Sequence, residues 1–147
     1  MFFLNKIIIA ILPLLPRFIV KIFSKKYVAG TEPDEAIDAI RALNKKNQSA
    51  TIDILGEHTE DHKIASEITS SYIQLLDIIH EHGIDCNLSI KPSHIGSDLN
   101  YKTTLSNFNS ILKRSSEFNN FIRIDMESSK LTSTTVKLYN DLRKTSQ

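Results

Sequence analysis

The chain has 147 residues, 41% hydrophobic and 24% charged, the proportions of one ordinary globular domain. Its 18 basic and 17 acidic residues leave a net charge of +1, which excludes the broad basic field of a nucleic-acid binder. The single cysteine, Cys86, excludes an internal disulfide framework and fits a reducing compartment.

Residues 1–26, "MFFLNKIIIAILPLLPRFIVKIFSKK", form an apolar leader. Lys6 and Arg17 interrupt it and Pro13 and Pro16 divide it. The uncharged run 7–16 is well short of the ~20 residues that span a bilayer as a helix. No small-x-small cleavage site follows closely, which argues against a secretory signal. The expectation is a helical leader packed under a domain of residues 27–147. An amphipathic stretch resting on a membrane surface is the alternative, giving a cytoplasmic protein with or without peripheral membrane contact.

Beyond the leader the punctuation becomes regular. "GTEPDEAIDAIRALNKKN" reads as a helix, with Thr31 as N-cap, Pro33 in the first turn, and acidic residues at the positive end of the dipole. "ATIDILGE" follows as a strand closed by Gly56. Residues 60–82 make a second helix, with Ile64, Ile68, Tyr72, Leu75, Leu76 and Ile79 on one stripe. "CNLSIKPSHIG" is a second strand, stopped by Pro92 and Gly96. Residues 102–116 form a third helix with Leu105, Phe108, Ile111 and Leu112 inward. "FIRIDMESS" is a third strand, and residues 133–144 a last helix carrying Val136, Tyr139 and Leu142.

Strand and helix alternate with a period of roughly 35 residues, which predicts βαβ units and a parallel sheet. Side-chain parity narrows the fold. Ile52 and Ile54, Leu88 and Ile90, and Ile122 and Ile124 share one face of each strand; Thr51 and Asp53, Asn87, Ser89 and Lys91, and Arg123 and Asp125 share the other. A doubly wound sheet, covered on both faces, would read as continuous apolar runs. One polar face repeated three times fits a closed barrel, with the isoleucines toward the helices and the polar side chains in the lumen, where (βα)8 enzymes keep their active sites. Such a barrel takes roughly 250 residues, so the fold expected is α/β: about three βα units from the N-terminal portion of a distorted, incomplete (βα)8 TIM-type barrel. Asp53, Lys91 and Asp125 lie late in successive strands and can satisfy one another or a zwitterionic ligand; a polar network that only fixes strand register is the competing reading.

"YVAGTEPDEAIDAIRALN", "TIDILGEHTED", "NLSIKPSHIG" and "FIRIDMESS", in that order and spacing, resemble the proline dehydrogenase family of flavoenzymes, matching its N-terminal half. The resemblance implies FAD held over the lumen mouth, hydride transfer from C5 of L-proline to the flavin to give pyrroline-5-carboxylate, and electrons passed to a membrane quinone. It implies Lys91 as the substrate-contacting lysine, Asp125 as the active-site acid that orients Lys91 or accepts from the amine, and Met126 against the flavin, with Asp53 ranked below these three. Pro92, His94 and Ser128 depart from the family's commoner residues. The family's later phosphate-binding strands and its late arginine pair have no counterpart here, which implies a split or truncated part that works with a C-terminal half or self-associates.

Other signals carry less. His58 and His62 straddle a loop and a helix start without a completing ligand set, so no metal is expected. Cys86 reads as a small buried apolar group. Glu57 and Glu127 could serve as an acid and base pair, as in glycoside cleavage, but read more simply as capping or loop residues. A non-catalytic assembly module with the same partial barrel is the alternative function.

Overall fold

Strand starts recur at a fixed interval. In the computed structural model, which describes residues 33–145 together with Pro16 and Ala29, the strands β1 (Ala50–Ile52), β2 (Cys86–Ile90) and β3 (Ile122–Ile124) begin 36 residues apart. The helices are α1 (Pro33–Asn44), α2 (His62–Glu81), α3 (Tyr101–Glu117) and α4 (Thr132–Thr145). The leader and the Thr31 cap lie outside the described residues. The chain divides into two compact units, residues 1–39 and 40–147; all three strands belong to the second.

The helix ends show why the repeat is regular. After α1, α2 and α3 the backbone reverses at Asn47, Gly83 and Asn119, with φ of 57°, 56° and 52°. Glycine and asparagine tolerate that left-handed conformation. Each reversal is closed by an amide reaching back five residues: Gln48 to the Leu43 carbonyl, Ile84 to Ile79, and Asn120 to Ser115. The next strand begins three residues beyond each reversal. At their starts, α2 and α3 are capped by Asp61, which accepts from the amides of Lys63 and Ile64, and by Asn100, which accepts from Thr103.

The sheet is parallel, in the order β1-β2-β3. Ala50 pairs with Cys86 and Leu88 with Ile122. Every residue of the central strand is buried. Leu88 and Ile90 meet Tyr72, Leu76 and Ile79 of α2, Phe108 and Ile111 of α3, and Leu138 and Leu142 of α4 in one core. On the other face Asn87 joins the strands: its Oδ1 accepts from Thr51 Oγ1 at 3.1 Å and Arg123 Nε at 2.9 Å, and its Nδ2 donates to the Ala50 carbonyl. Cys86 is buried as expected, and burial pushes its thiol up to about 11, away from thiolate chemistry.

Three expectations need correction. The strands are shorter than read from the sequence, because proline offers no N–H to a ladder and Pro92–Ile95 winds instead into a 3-10 turn that ends at Gly96 (φ 111°). Ile64, placed on the inward stripe of α2, is half exposed; the buried stripe runs through Ala65, Thr69, Tyr72 and Leu76. In α4 the buried positions are Thr135, Leu138 and Leu142, whereas Val136 and Tyr139 are half exposed.

Candidate functional site at the strand ends

The polar face continues past the C-terminal ends of the strands, where it becomes charged. Asp53 follows β1, Lys91 follows β2 and Asp125 follows β3. The structure brings these three residues together, with a division of labour the sequence did not show. Lys91 Nζ donates to Asp53 Oδ2 at 2.6 Å, both side chains about one quarter exposed. Asp125 instead accepts from the hydroxyl of Ser89, while its amide donates to the Ile90 carbonyl at 3.0 Å and so extends the ladder. Asp53, ranked lowest from the sequence, is therefore the direct partner of Lys91, and Asp125 acts on it through space. The hydrogen bond to Asp53 raises the Lys91 ammonium above the ordinary lysine range, and the charges of Asp53, Asp125 and Glu57 add to this against the cost of desolvation.

Beneath this layer lies a second one. The Tyr72 hydroxyl, from the middle of α2, donates to Asp53 Oδ1 at 2.8 Å. Burial first, then the bond to Asp53, pushes the phenol far above its usual range, so it stays a donor at any accessible pH. His94, in the 3-10 turn, stands edge-on to the Tyr72 ring, with centroids 6.1 Å apart and planes at 84°. Burial holds the imidazole below its ordinary value and hence neutral. Gly56 sits directly on His94: a Cβ there would lie 2.2 Å from Nε2, so the glycine that closes the first strand is required by the histidine after the second.

Glu127 does not face a partner carboxylate. It accepts from the Ser93 amide at 2.9 Å and from the Ser93 hydroxyl, capping the 3-10 turn. The Ser93 hydroxyl also receives the His58 amide, and the Ser93 carbonyl receives that of Thr59. Glu57 is exposed, whereas Glu127 is tied to Ser93. His58 pairs with Asp98 at 2.8 Å rather than with His62. Among the described residues no group of three or more metal-ligating side chains converges.

Met126 is not brought to the charged cluster. It lies on the opposite side with Ile122 and Ile124, 55% exposed. There it lines a groove of about 490 Å³ whose walls include Phe108, Leu112, Val136 and Tyr139. Sequence reasoning also missed Tyr72, which it assigned to core packing alone. The available signal was a hydroxyl in an otherwise aliphatic stripe, which must find an acceptor when buried.

A parallel α/β sheet with its charged residues gathered at the strands' C-terminal ends defines the class: a (βα) unit array of the kind that builds enzyme barrels. The chain belongs to the proline dehydrogenase family, whose sequence pattern matches residues 36–147. It is 29% identical over 120 residues to proline dehydrogenase 1 of Bacillus subtilis subsp. natto, covering 82% of this chain and 40% of that protein. It is 30% identical over 122 residues to the proline dehydrogenase of Deinococcus radiodurans, covering 81% and 39%. Proline utilization A from Bdellovibrio bacteriovorus, solved after inactivation by N-propargylglycine, shares the fold at a TM-score of 0.72 and 22% identity, over 81% of this chain and 15% of that one. The chain thus spans about 40% of the length of the curated relatives it matches.

Proposed function

We propose that this chain supplies the first βα units of an FAD-dependent proline dehydrogenase and contributes the substrate-facing Lys91 and Asp125 to its site. The observation that carries this reading is the Lys91–Asp53 pair held on the same face as Asp125 at the strand ends, in a chain whose family oxidises proline. Lys91 offers a fixed cation to the carboxylate of L-proline. Asp125, a hydrogen-bond acceptor already oriented by Ser89, faces the amine. A flavin, when bound, would take the hydride from C5 of proline. Of the chain's own residues, Lys91 supplies a cationic edge at the mouth for such a group, whereas Met126, expected against the flavin, lies on the opposite, apolar side of the sheet. They include no glycine-rich phosphate loop. A membrane quinone as final electron acceptor belongs to the same reading, as does a location in the cytoplasm at the membrane surface. Among the described residues no helix is long and apolar enough to cross a membrane.

The rest of the barrel has a place to dock. Met126 stands 36 residues after Ile90, its counterpart in the preceding unit; Ile90 is fully buried and Met126 is 55% exposed. Ile90 belongs to a strand paired on both sides, whereas Met126 follows β3, the last strand of the described sheet. A further parallel strand beside β3, with its helix over Val136 and Tyr139, would bury Met126 in the same way, and the family's additional length provides such units.

Co-expression with the C-terminal part of the Bacillus subtilis relative, beyond the matched region, tests this. A stable complex that retains oxidised flavin through gel filtration is expected. Flavin eluting free of a well-folded complex would sink the cofactor assignment, and this chain eluting as a dimer that excludes the added part would favour the assembly-module reading.

A further inference from the structure

The internal repeat supplies a control that nature has already run. Tyr72 of α2 stands 36 residues before Phe108 of α3, and both are fully buried. The two helices end in the same register, at Glu81 and Glu117, so the two rings fill equivalent core positions. Packing is therefore served by phenylalanine; the hydroxyl is an addition. It occurs in the helix that leads from β1 into β2, the strands that carry Asp53 and Lys91 at their ends.

We propose that Tyr72 is a positioning residue, whose buried hydroxyl holds one carboxylate oxygen of Asp53 so that the other presents Lys91 to the polar mouth. The geometry is a line of three groups. Tyr72 OH lies 2.8 Å from Asp53 Oδ1, and Asp53 Oδ2 lies 2.6 Å from Lys91 Nζ. Asp53 follows a three-residue strand on a segment without regular structure, so its backbone alone does not fix its side chain. A carboxylate bound at one oxygen only can swing about its Cβ–Cγ bond, whereas one bound at both oxygens to groups on different elements cannot. Tyr72 is itself held by the ring of His94, whose Nδ1 lies 3.5 Å from the hydroxyl, and by the Ile54 carbonyl, also at 3.5 Å. Lys91 has three donors, and one is committed to Asp53. The others remain for an anionic ligand, on a head group whose direction is set from inside the core. The role in substrate binding rests on the function proposed above; the positioning itself does not.

The test uses the full 147-residue chain labelled with 15N-lysine, following the Lys91 Nζ signal with pH. The groups facing Lys91 are Asp53 and Glu57 from the segment after β1 and Asp125 from that after β3; Tyr72 from α2 and His94 from the 3-10 turn lie behind Asp53. In the native chain a slowly exchanging ammonium signal with a titration midpoint above the free-lysine value is expected. In Tyr72→Phe that signal should exchange away and the midpoint fall toward the free-lysine value near 10.4. An unchanged signal and midpoint, whatever the melting temperature does, would reduce Tyr72 to a packing residue. Ile111→Val, which loosens the core away from Asp53, should lower stability and leave the Lys91 signal in place. If Tyr72→Phe does not fold, fluorotyrosine incorporation keeps the ring and acidifies the hydroxyl. The Lys91 midpoint then moves if the two are coupled through Asp53, and its standing still overturns the proposal. In a flavin-loaded assembly, Tyr72→Phe should raise KM for proline roughly three- to tenfold with kcat nearly unchanged. An equal loss in both at full flavin occupancy would contradict the positioning role; failure of the assembly itself would bear only on the earlier proposal.

Discussion

The two ends of the sheet are built from similar residue types and use them differently. At the N-terminal ends of the strands, polar side chains are tied largely to backbone. Asn44 Nδ2 donates to the carbonyls of Gln48 and Asp85 while its Oδ1 accepts from the Asp85 amide. Asn120 donates to the Cys86 carbonyl and receives nothing from a charged group, and Ser115 donates to the Asn120 carbonyl. Of the charges there, Arg114 closes on Asp77 and Glu117 beside the stacked rings of His80 and Phe118, and Asp85 accepts from the Ser49 hydroxyl. At the C-terminal ends the bonds run from side chain to side chain, among Tyr72, Asp53, Lys91, Ser89 and Asp125. Side chains bonded to backbone hold the chain's path; side chains bonded to each other hold a charge distribution. On the function proposed above, the first end serves stability and the second a ligand, the division general to βα barrels.

Substitutions sharpen that division. The largest effect should come from the core both ends share: Leu88→Ala, fully buried in the central strand, is expected to cost about 2–5 kcal/mol in urea unfolding. Gly56→Ala should cost about 1–3 kcal/mol through its collision with His94. The part of that loss due to the collision should return in the Gly56→Ala/His94→Ala double variant, leaving the strain of a side chain at φ 155°, and a double variant no better than the sum of its parts would break the contact argument. Asn44→Ala removes three bonds at the stabilising end and should cost about 1–2 kcal/mol without altering the titration of Lys91. At the ligand end, the paired change Asp53→Asn with Lys91→Met should move stability by less than about 1 kcal/mol in either direction. A large loss there would mean that the charged cluster is structural after all.

The smallest expected effect is a pH dependence. Burial keeps His94 below the ordinary histidine value of 6.5, so the unfolded chain takes up the proton first. The stability this contributes is complete above about pH 6.5 and drains as pH falls below it. His58 works in the opposite sense: Asp98 raises it, and its contribution, from an exposed pair, is present below 6.5 and lost as pH rises through the raised value. His94→Gln should flatten the acid side of the stability profile, which urea midpoints at pH 7.5 and 5.5 would show.

The parity of "TIDI", "NLSI" and "IRID" was enough to assign the polar and apolar faces, because polar and apolar residues alternate along each strand. The last three helices were legible from their apolar spacing to within two residues of each end. The strand lengths were not, since Asp53 and Asp125 keep the alternation of a strand after regular pairing has ended. Asp53, Lys91 and Asp125 were legible from strand parity and given roles by the family resemblance, but which of the two acids Lys91 meets was not, because that depends on rotamers and stagger that no linear pattern records. The exposure of Val136, Tyr139 and Met126 was hidden for another reason. Helical spacing marks an apolar face without saying whether anything covers it.

The account stands most directly on one comparison in the assembled protein. Flavin-loaded complexes containing the native chain or Lys91→Met should be mixed with L-proline without oxygen and the flavin absorbance followed. Bleaching by the native complex, and bleaching slowed at least about a hundredfold at low proline by Lys91→Met, is the predicted result for a cation facing the carboxylate. Equal bleaching rates would remove Lys91 from the site and contradict the account.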